Sequence, residues 1–498
     1  MAQPTETELL VLNSIIYTSN FTSKFHGRSV YEWACEFNLD TIKDDSLPGE
    51  INKEEFRTIL NTIKANKNVY SKMRIIDINT DQVTSKKNKS LYVTNASIKY
   101  GDDLIIIYKG TGGPLEWRDN GEGGYSNITD TEQQKKALEY FDSQIYDEKG
   151  NIMVSGNIYV TGHSKGGNKA QYVGVLRGEL INHIYSFDGQ GFGQAFLIKY
   201  KDLIEENRSK ITSISNEYDF VNILLFPIAG ERKYIKSNTS LESNRGFGAA
   251  LVHKFGGVHS PYSMFKLDKE GNVVLNERVD QSGLIREIQG VFAHYARYMN
   301  EEDWRFLCYN IMSIFMEGEG NLYGDDYSIM PDGFTERLAA LTKGYIEKNK
   351  GLNFVEAFSF LLAMFGLNNL VNVQDLDAML HSESYAIITR DFSDTTKQNL
   401  LSIVEEVDDE PWYDVTRWDS FYRIDDLLGD MDFPSNQDEL STYYRKIIDM
   451  QGVSKKKINQ IFEEVYQADN QFANEMDELN DRIVSMNNKL TMVLNKFK

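Results

Sequence analysis

Residues 158–173 read Ile-Tyr-Val-Thr-Gly-His-Ser-Lys-Gly-Gly-Asn-Lys-Ala-Gln-Tyr-Val, a short β-type run, then Gly162-x-Ser164-x-Gly166, then a helix-compatible stretch. This spacing suits a serine nucleophile at the tip of a strand-to-helix turn too sharp for side chains two residues before or after it. Glycine at 162 and 166 lets strand and helix approach without clash. The helix that follows would aim its N-terminal amides and the positive end of its dipole at an oxyanion forming beside the serine.

A serine nucleophile needs a base, a carboxylate to orient that base, and amides for the oxyanion. His259, in Gly-Val-His-Ser-Pro-Tyr-Ser, lies in a loop-like context late in the β-rich region and is the preferred base, with His253 its nearest competitor. His183 precedes a strand and reads as structural. His163 sits inside the turn motif but is directed away from the serine, and His294 falls in a helical stretch beyond the sheet. For the acid, Asp219 follows the strand expected at 210–216 and would emerge beside the serine, while Asp188 is the alternative one strand earlier. Either aspartate, on the bland reading, caps its own turn. Leu104–Tyr108 is a buried-type strand running into Lys109-Gly110-Thr111-Gly112-Gly113, whose amides suit an oxyanion hole. The turn lacks the Gly-Lys-Ser/Thr ending of a phosphate loop.

The elements that must carry these residues follow from hydrophobic periodicity. Residues 5–64 have helical spacing, broken at Pro48-Gly49, and read as a helical lead-in. Between 73 and 276, short β-rich runs alternate with helix-like segments at 131–146, 166–181 and 193–207, the pattern of a mixed or parallel sheet with helices on its faces. Beyond about residue 285 the strands give out, and 286–316, 333–366 and 397–407 read as helices. From Ile458 to Phe497 a 4-3 apolar spacing marks one helix of some 40 residues, about 60 Å long, that needs a partner helix. The expected division is therefore an α/β domain at 1–285 and an all-α domain with a long C-terminal helix at 286–498.

Composition narrows the partners. The net charge is −21 over 498 residues, with 18 Lys and Arg against 37 Asp and Glu from residue 301 onward and 35 against 37 before it. So acidic a C-terminal part repels nucleic acid and anionic lipid, whereas the nearly neutral N-terminal part can approach a membrane. Cys35 and Cys308 form no metal-spaced pair and read as two buried thiols. The apolar stretch from Asn353 to Leu367 is too short to span a bilayer. No basic and apolar leader of the Sec type stands at the N-terminus, so export would take another route. The chemistry calls for no metal or cofactor.

Together these residues resemble the class 3 lipase group of α/β-hydrolases, and more closely its Mbeg1-like branch. The family's Gly-His-Ser-x-Gly-Gly matches residues 162–167, and its Arg-Gly-Thr/Ser turn is represented by Lys109-Gly110-Thr111, with Lys for Arg. Its Asp-x-Val segment matches Asp219-Phe-Val221, and its histidine segment matches His259-Ser-Pro-Tyr-Ser-Met more loosely. Over residues 5–280 the resemblance implies Ser164 as nucleophile, His259 as base, Asp219 as its orienter, and the amides of Thr111 and Lys165 as oxyanion donors. It implies a lipase or phospholipase acting on acyl esters of membrane lipids. Segment 238–257, Gly-rich with Phe247, Leu251 and Phe255, reads as a flap over an acyl groove or as an ordinary loop. The C-terminal part resembles, more weakly, the helical LXG-type targeting domains of type VII-exported toxins of Gram-positive bacteria, here with the domain order reversed and with Tyr422-x-x-x-Asp426 fitting the loose export pattern. That resemblance implies small helical export partners on the C-terminal domain, an immunity protein on the lipase domain, and secretion from the cytoplasm. The rival readings are an esterase or thioesterase on small soluble substrates and a non-catalytic interaction protein.

Overall fold

The structure is a computed structural model and describes residues 3–18, 20–41, 53–84, 90–238, 255–313 and 327–349. Helices α1 (Glu6–Ile15), α2 (Val30–Glu36), α3 (Lys53–Ala65) and α4 (Lys67–Tyr70) precede strands β1 (Met73–Thr84), β2 (Ser90–Tyr100) and β3 (Asp103–Tyr108). Then α5 (Pro114–Glu122) and α6 (Glu132–Ile145) lead to β4 (Ile158–His163), and α7 (Lys165–Leu176) leads to β5 (His183–Phe187). Helices α8 (Gln194–Lys199) and α9 (Lys201–Asn207) lead to β6 (Ile211–Asn216) and β7 (Glu231–Ile235). After α10 (Phe255–His259) come β8 (Phe265–Leu267), β9 (Val273–Leu275) and β10 (Arg278–Val279), then helices α11 (Gly283–Tyr298), α12 (Glu301–Ser313) and α13 (Phe334–Asn349).

The main sheet has eight strands in the order β1-β2-β3-β4-β5-β6-β7-β10, and β8 and β9 form a separate hairpin. Strands β3 to β7 are parallel, and β1, β2 and β10 extend this centre with antiparallel pairings. The register fixes what emerges at the carboxyl edge. Tyr108 pairs with Gly162, His163 with Phe187, and Phe187 with Ile214. The residues that follow β3, β4, β5 and β6 therefore leave the sheet side by side: the Lys109–Thr111 turn, Ser164, Asp188 and the loop holding Asp219.

Burial explains why Leu104–Tyr108 of β3 is an unbroken apolar run rather than an alternating one. All six of its residues are buried, as expected for a parallel-sheet strand covered on both faces. Ile105 and Ile107 belong to the core cluster formed with α1, α2 and α3, whereas the Tyr108 hydroxyl donates to the Ala137 carbonyl of α6 on the other face. Helix α1 is buried all round from Leu9 onward, with Leu9, Leu10, Val11 and Leu12 fully buried, and packs against β3, β4 and β5. The expected helical lead-in is thus a layer of the fold itself. Its start is held by a capping box in which Thr5 accepts from the Glu8 amide and Glu8 accepts from the Thr5 amide.

Two expectations need correction. Cys35 is exposed, while Cys308 is buried. Val30, Trp33 and Ala34 form the inward face of α2, and the helical period puts Cys35 on the opposite side. The described part of the 286–316 segment is two helices, because Asn300 accepts from the Asp303 amide and starts α12 anew.

The chain forms two compact units, residues 1–289 with 311–327, and residues 290–310 with 328–498. Described elements of the second unit are helical, with Arg337 donating to the buried Asp303 carboxylate. The long helix at 458–497, the Tyr422 pattern and His253 lie outside the described residues, as does most of the 238–257 segment. No helix among the described residues is long and apolar enough to cross a membrane.

Candidate active site

Ser164 stands between β4 and α7 with φ 60° and ψ −129°, a conformation that costs a non-glycine residue about 1–3 kcal/mol and persists only where the surroundings impose it. They do so here: the Ser164 amide donates to the Phe187 carbonyl at 2.8 Å, and the Ser164 carbonyl accepts from Gly167 at 2.9 Å and Asn168 at 3.2 Å. A Cβ at Gly162 would lie 2.0 Å from the Gly166 carbonyl oxygen, and one at Gly166 would lie 2.0 Å from the Tyr108 carbonyl oxygen. The second clash refines the sequence argument, since Gly166 makes room for β3 and not only for its own strand. Lys165 opens α7, where the first amides have no partner within the helix.

His259 ends α10, a helical turn rather than the expected loop. Its Nδ1 is 2.7 Å from Asp219 Oδ1. The fully buried Asp219 also accepts at Oδ2 from the Asn222 amide and from Asn222 Nδ2, both at 2.9 Å. Asn216, at the end of β6, donates to Ser263 Oγ, which donates to the Val258 carbonyl, so the sheet edge holds the His259 segment directly. Asp188, the alternative acid, is fully buried in a left-handed conformation (φ 46°) and accepts the Asn216 amide at 2.8 Å. Burial first, then the neighbouring Asp219 charge, push its carboxyl well above the ordinary range.

The glycine-rich turn after β3 lies against the elbow. A Cβ at Gly110 would meet the Tyr17 hydroxyl at 2.0 Å, the His163 carbonyl oxygen at 2.7 Å and Ser164 Cβ at 3.1 Å. Helix α5 braces the turn: Asn120 Nδ2 donates to Thr111 Oγ1, and the Gly112 amide donates to Glu116 Oε2, each at 2.8 Å. Beneath it, Lys165 Nζ and Asp119 Oδ1 form a buried ion pair at 3.0 Å. Burial pushes the Glu116 carboxyl up and the Lys169 ammonium down. The Lys165 side chain is thus a brace for α5, while its amide remains at the helix start beside Ser164.

The His163 ring faces two partners. Its Nδ1 is 3.0 Å from the Tyr17 hydroxyl and its Nε2 is 2.9 Å from the His259 carbonyl oxygen. Among the described residues, His163, Asp188 and His259 are the group whose ligand-type atoms come within 4.8 Å of one another. Both nitrogens of His163 and Nδ1 of His259 are committed to hydrogen bonds, a donor set unlike that of an open metal site. His183 starts β5, with its Nε2 2.8 Å from Thr212 Oγ1, and plays a structural part.

A parallel sheet centre, a strained serine between strand and helix, and a histidine–aspartate pair at the same edge define an α/β-hydrolase fold. Residues 67–241 match the family described as Mbeg1-like. The match takes in Thr111, Ser164, Lys165 and Asp219 and ends before His259. Among solved structures the chain is similar to the Lip2 lipase from Yarrowia lipolytica, with 14% identity, 45% of this chain and 78% of that one covered, and a TM-score of 0.26. It is also similar to a triacylglycerol lipase from Penicillium expansum, with 11% identity, 38% and 85% covered, and a TM-score of 0.24. No curated protein matches the chain.

Tyr17, Glu116, Asn120 and Asn222 join the site without standing out in the sequence. Only Asn222 had a local signal, since Asp219-x-x-Asn222 has the spacing of a side-chain-capped turn. Tyr17 is 146 residues from His163, and nothing in its neighbourhood announces a site.

Proposed function

We propose that this protein is a serine-dependent lipase or phospholipase that hydrolyses acyl esters of membrane lipids. The observation that carries the proposal is the strained Ser164 at the sheet edge, with the Asp219-bound His259 tied back to the adjacent His163. Ser164 Oγ attacks the ester carbonyl while His259 takes its proton, and Asp219 holds the imidazole through Nδ1. The oxyanion rests on the Thr111 and Lys165 amides. Collapse of the intermediate breaks the acyl C–O bond, and His259 returns the proton to the leaving alcohol. Water, deprotonated by His259, then releases the fatty acid and restores Ser164.

The route of delivery is the second part of the proposal. The C-terminal domain binds small helical export partners, and the protein leaves the cytoplasm by the type VII route as an antibacterial toxin, with an immunity protein guarding the producing cell. Support comes from the LXG-like resemblance and the concentration of acidic residues after residue 301.

The test is fatty-acid release from phospholipid vesicles by the purified chain, with Ser164→Ala and His259→Ala beside it. Loss of release in both variants supports the lipase reading. Activity confined to short water-soluble esters would replace the lipid substrate with a soluble one, and an unlabelled wild type in a fluorophosphonate assay would leave the interaction-protein reading.

A further inference from the structure

His163 is a buried histidine that the proposed chemistry does not use, yet both its ring nitrogens are engaged. A carbonyl oxygen only accepts, so the 2.9 Å contact with the His259 carbonyl requires the proton on Nε2. A neutral ring then leaves Nδ1 as an acceptor, and the Tyr17 hydroxyl, 3.0 Å away, must donate to it. Burial holds His163 well below the ordinary histidine range, with the nearby His259 acting in the same direction, which fits the neutral form. The Tyr17 oxygen also presses on the oxyanion turn, where it would lie 2.0 Å from a Cβ at Gly110. Three parts that come from distant stretches of chain thus converge on one tyrosine–histidine pair: the turn after β3, the elbow after β4, and the segment ending α10.

We propose that Tyr17 and His163 form a positioning strut, in which Tyr17 fixes the Nε2–H tautomer of His163 and His163 holds the main chain of His259 in place for proton transfer from Ser164. The strut rests on the serine-hydrolase reading above and deepens it. Neither residue takes part in the bonds made or broken, so each acts through the placement of others. A base held in register is required in the step that bonds Ser164 Oγ to an electrophile, and a misplacement of about 1 Å there costs on the order of 100-fold. Loss of one hydroxyl, with the rest of the packing kept, should cost less.

The experiment combines two readouts on the full chain. A long-range ¹⁵N–¹H correlation spectrum of wild type reads which His163 nitrogen carries the proton and needs no activity. Fluorophosphonate labelling reads the step in which the Ser164 Oγ–P bond forms, fluoride leaves and the proton passes to His259. We expect the Nε2–H tautomer in wild type and a tautomer mixture in Tyr17→Phe. The maximal labelling rate of Tyr17→Phe should fall about tenfold, with the half-saturating probe concentration unchanged. His163→Gln, whose side-chain amide can still donate to the His259 carbonyl, should keep more of that rate than His163→Phe. A wild-type proton on Nδ1, or a folded Tyr17→Phe that labels at the wild-type rate, overturns the strut alone. A wild type that is not labelled at all overturns the hydrolase reading and the strut's catalytic role with it, while the tautomer still decides the hydrogen-bond arrangement.

Discussion

Asp188 and Asp219 follow adjacent strands, are both fully buried, and stand at the same edge of the sheet, yet they are built for opposite tasks. Three N–H groups point at Asp219, from His259, the Asn222 amide and the Asn222 side chain. Asp188 receives the Asn216 amide at Oδ1, while its other oxygen has His163 Nε2 only at 3.9 Å. Asp219 is equipped to act as an anion, and Asp188 is a carboxyl pushed toward its protonated form by burial and by that anion. Burial alone does not decide the role of a carboxylate; the number of donors aimed at it does.

The largest expected effect breaks the pair apart by chemistry. Asp219→Asn should lower kcat/KM by about 10⁴-fold, because an amide in place of the carboxylate favours the wrong imidazole tautomer. Asp188→Asn should leave turnover close to wild type, and steady-state kinetics on one ester substrate would check both. If Asp188→Asn proved the more damaging, the assignment of the two carboxyls would be reversed. A third buried carboxylate sharpens the point. Asp119 is paired with Lys165, and Asp119→Ala should cost about 3–5 kcal/mol of stability by stranding a buried ammonium, measurable by denaturant unfolding.

How far the site was legible follows the same line. The elbow was readable because its constraint is local: glycines at 162 and 166 are required by backbone contacts 2.0 Å away. The sheet was readable from alternating β-rich and helical runs, and both aspartates could be picked out as residues that follow strands. What the sequence does not carry is which strand end faces the base, since that depends on the register of β5 against β6 and on donors such as Asn222. Tyr17 is further from view, because its role arises only when α1 folds onto β3 to β5, a packing that an apolar helix permits without revealing.

Stability against pH gives a smaller test of the comparison. With the folded carboxyl of Asp188 raised, the native state keeps a proton that the unfolded chain has lost. Its contribution to stability is fully present below the unfolded pKa, near 3.8, and is lost as pH rises toward the folded value. The slope contributed by one such proton is about 1.4 kcal/mol per pH unit. Asp188→Asn has no proton to lose, so the variant should gain on wild type as pH rises from 4 to 7 in parallel urea titrations. A constant offset across that range would mean that Asp188 is ionised in the fold and that the contrast with Asp219 does not hold.

The smallest effect lies in the donors around Asp219. Asn222→Ala removes the bonds from Nδ2 to Oδ2 and to the Asp219 carbonyl but leaves the one from the residue 222 amide to Oδ2, all of which are 2.9 Å in the native site. Asp219 then keeps two of its three donors, and the loss should be about 1 kcal/mol, or roughly fivefold in kcat/KM. The expected loss falls on kcat with KM unchanged, because Asn222 orients the acid and contacts no substrate. A loss as large as that of Asp219→Asn would mean that the Asn222 side chain, and not the carboxylate's bond to His259, sets the geometry of the pair.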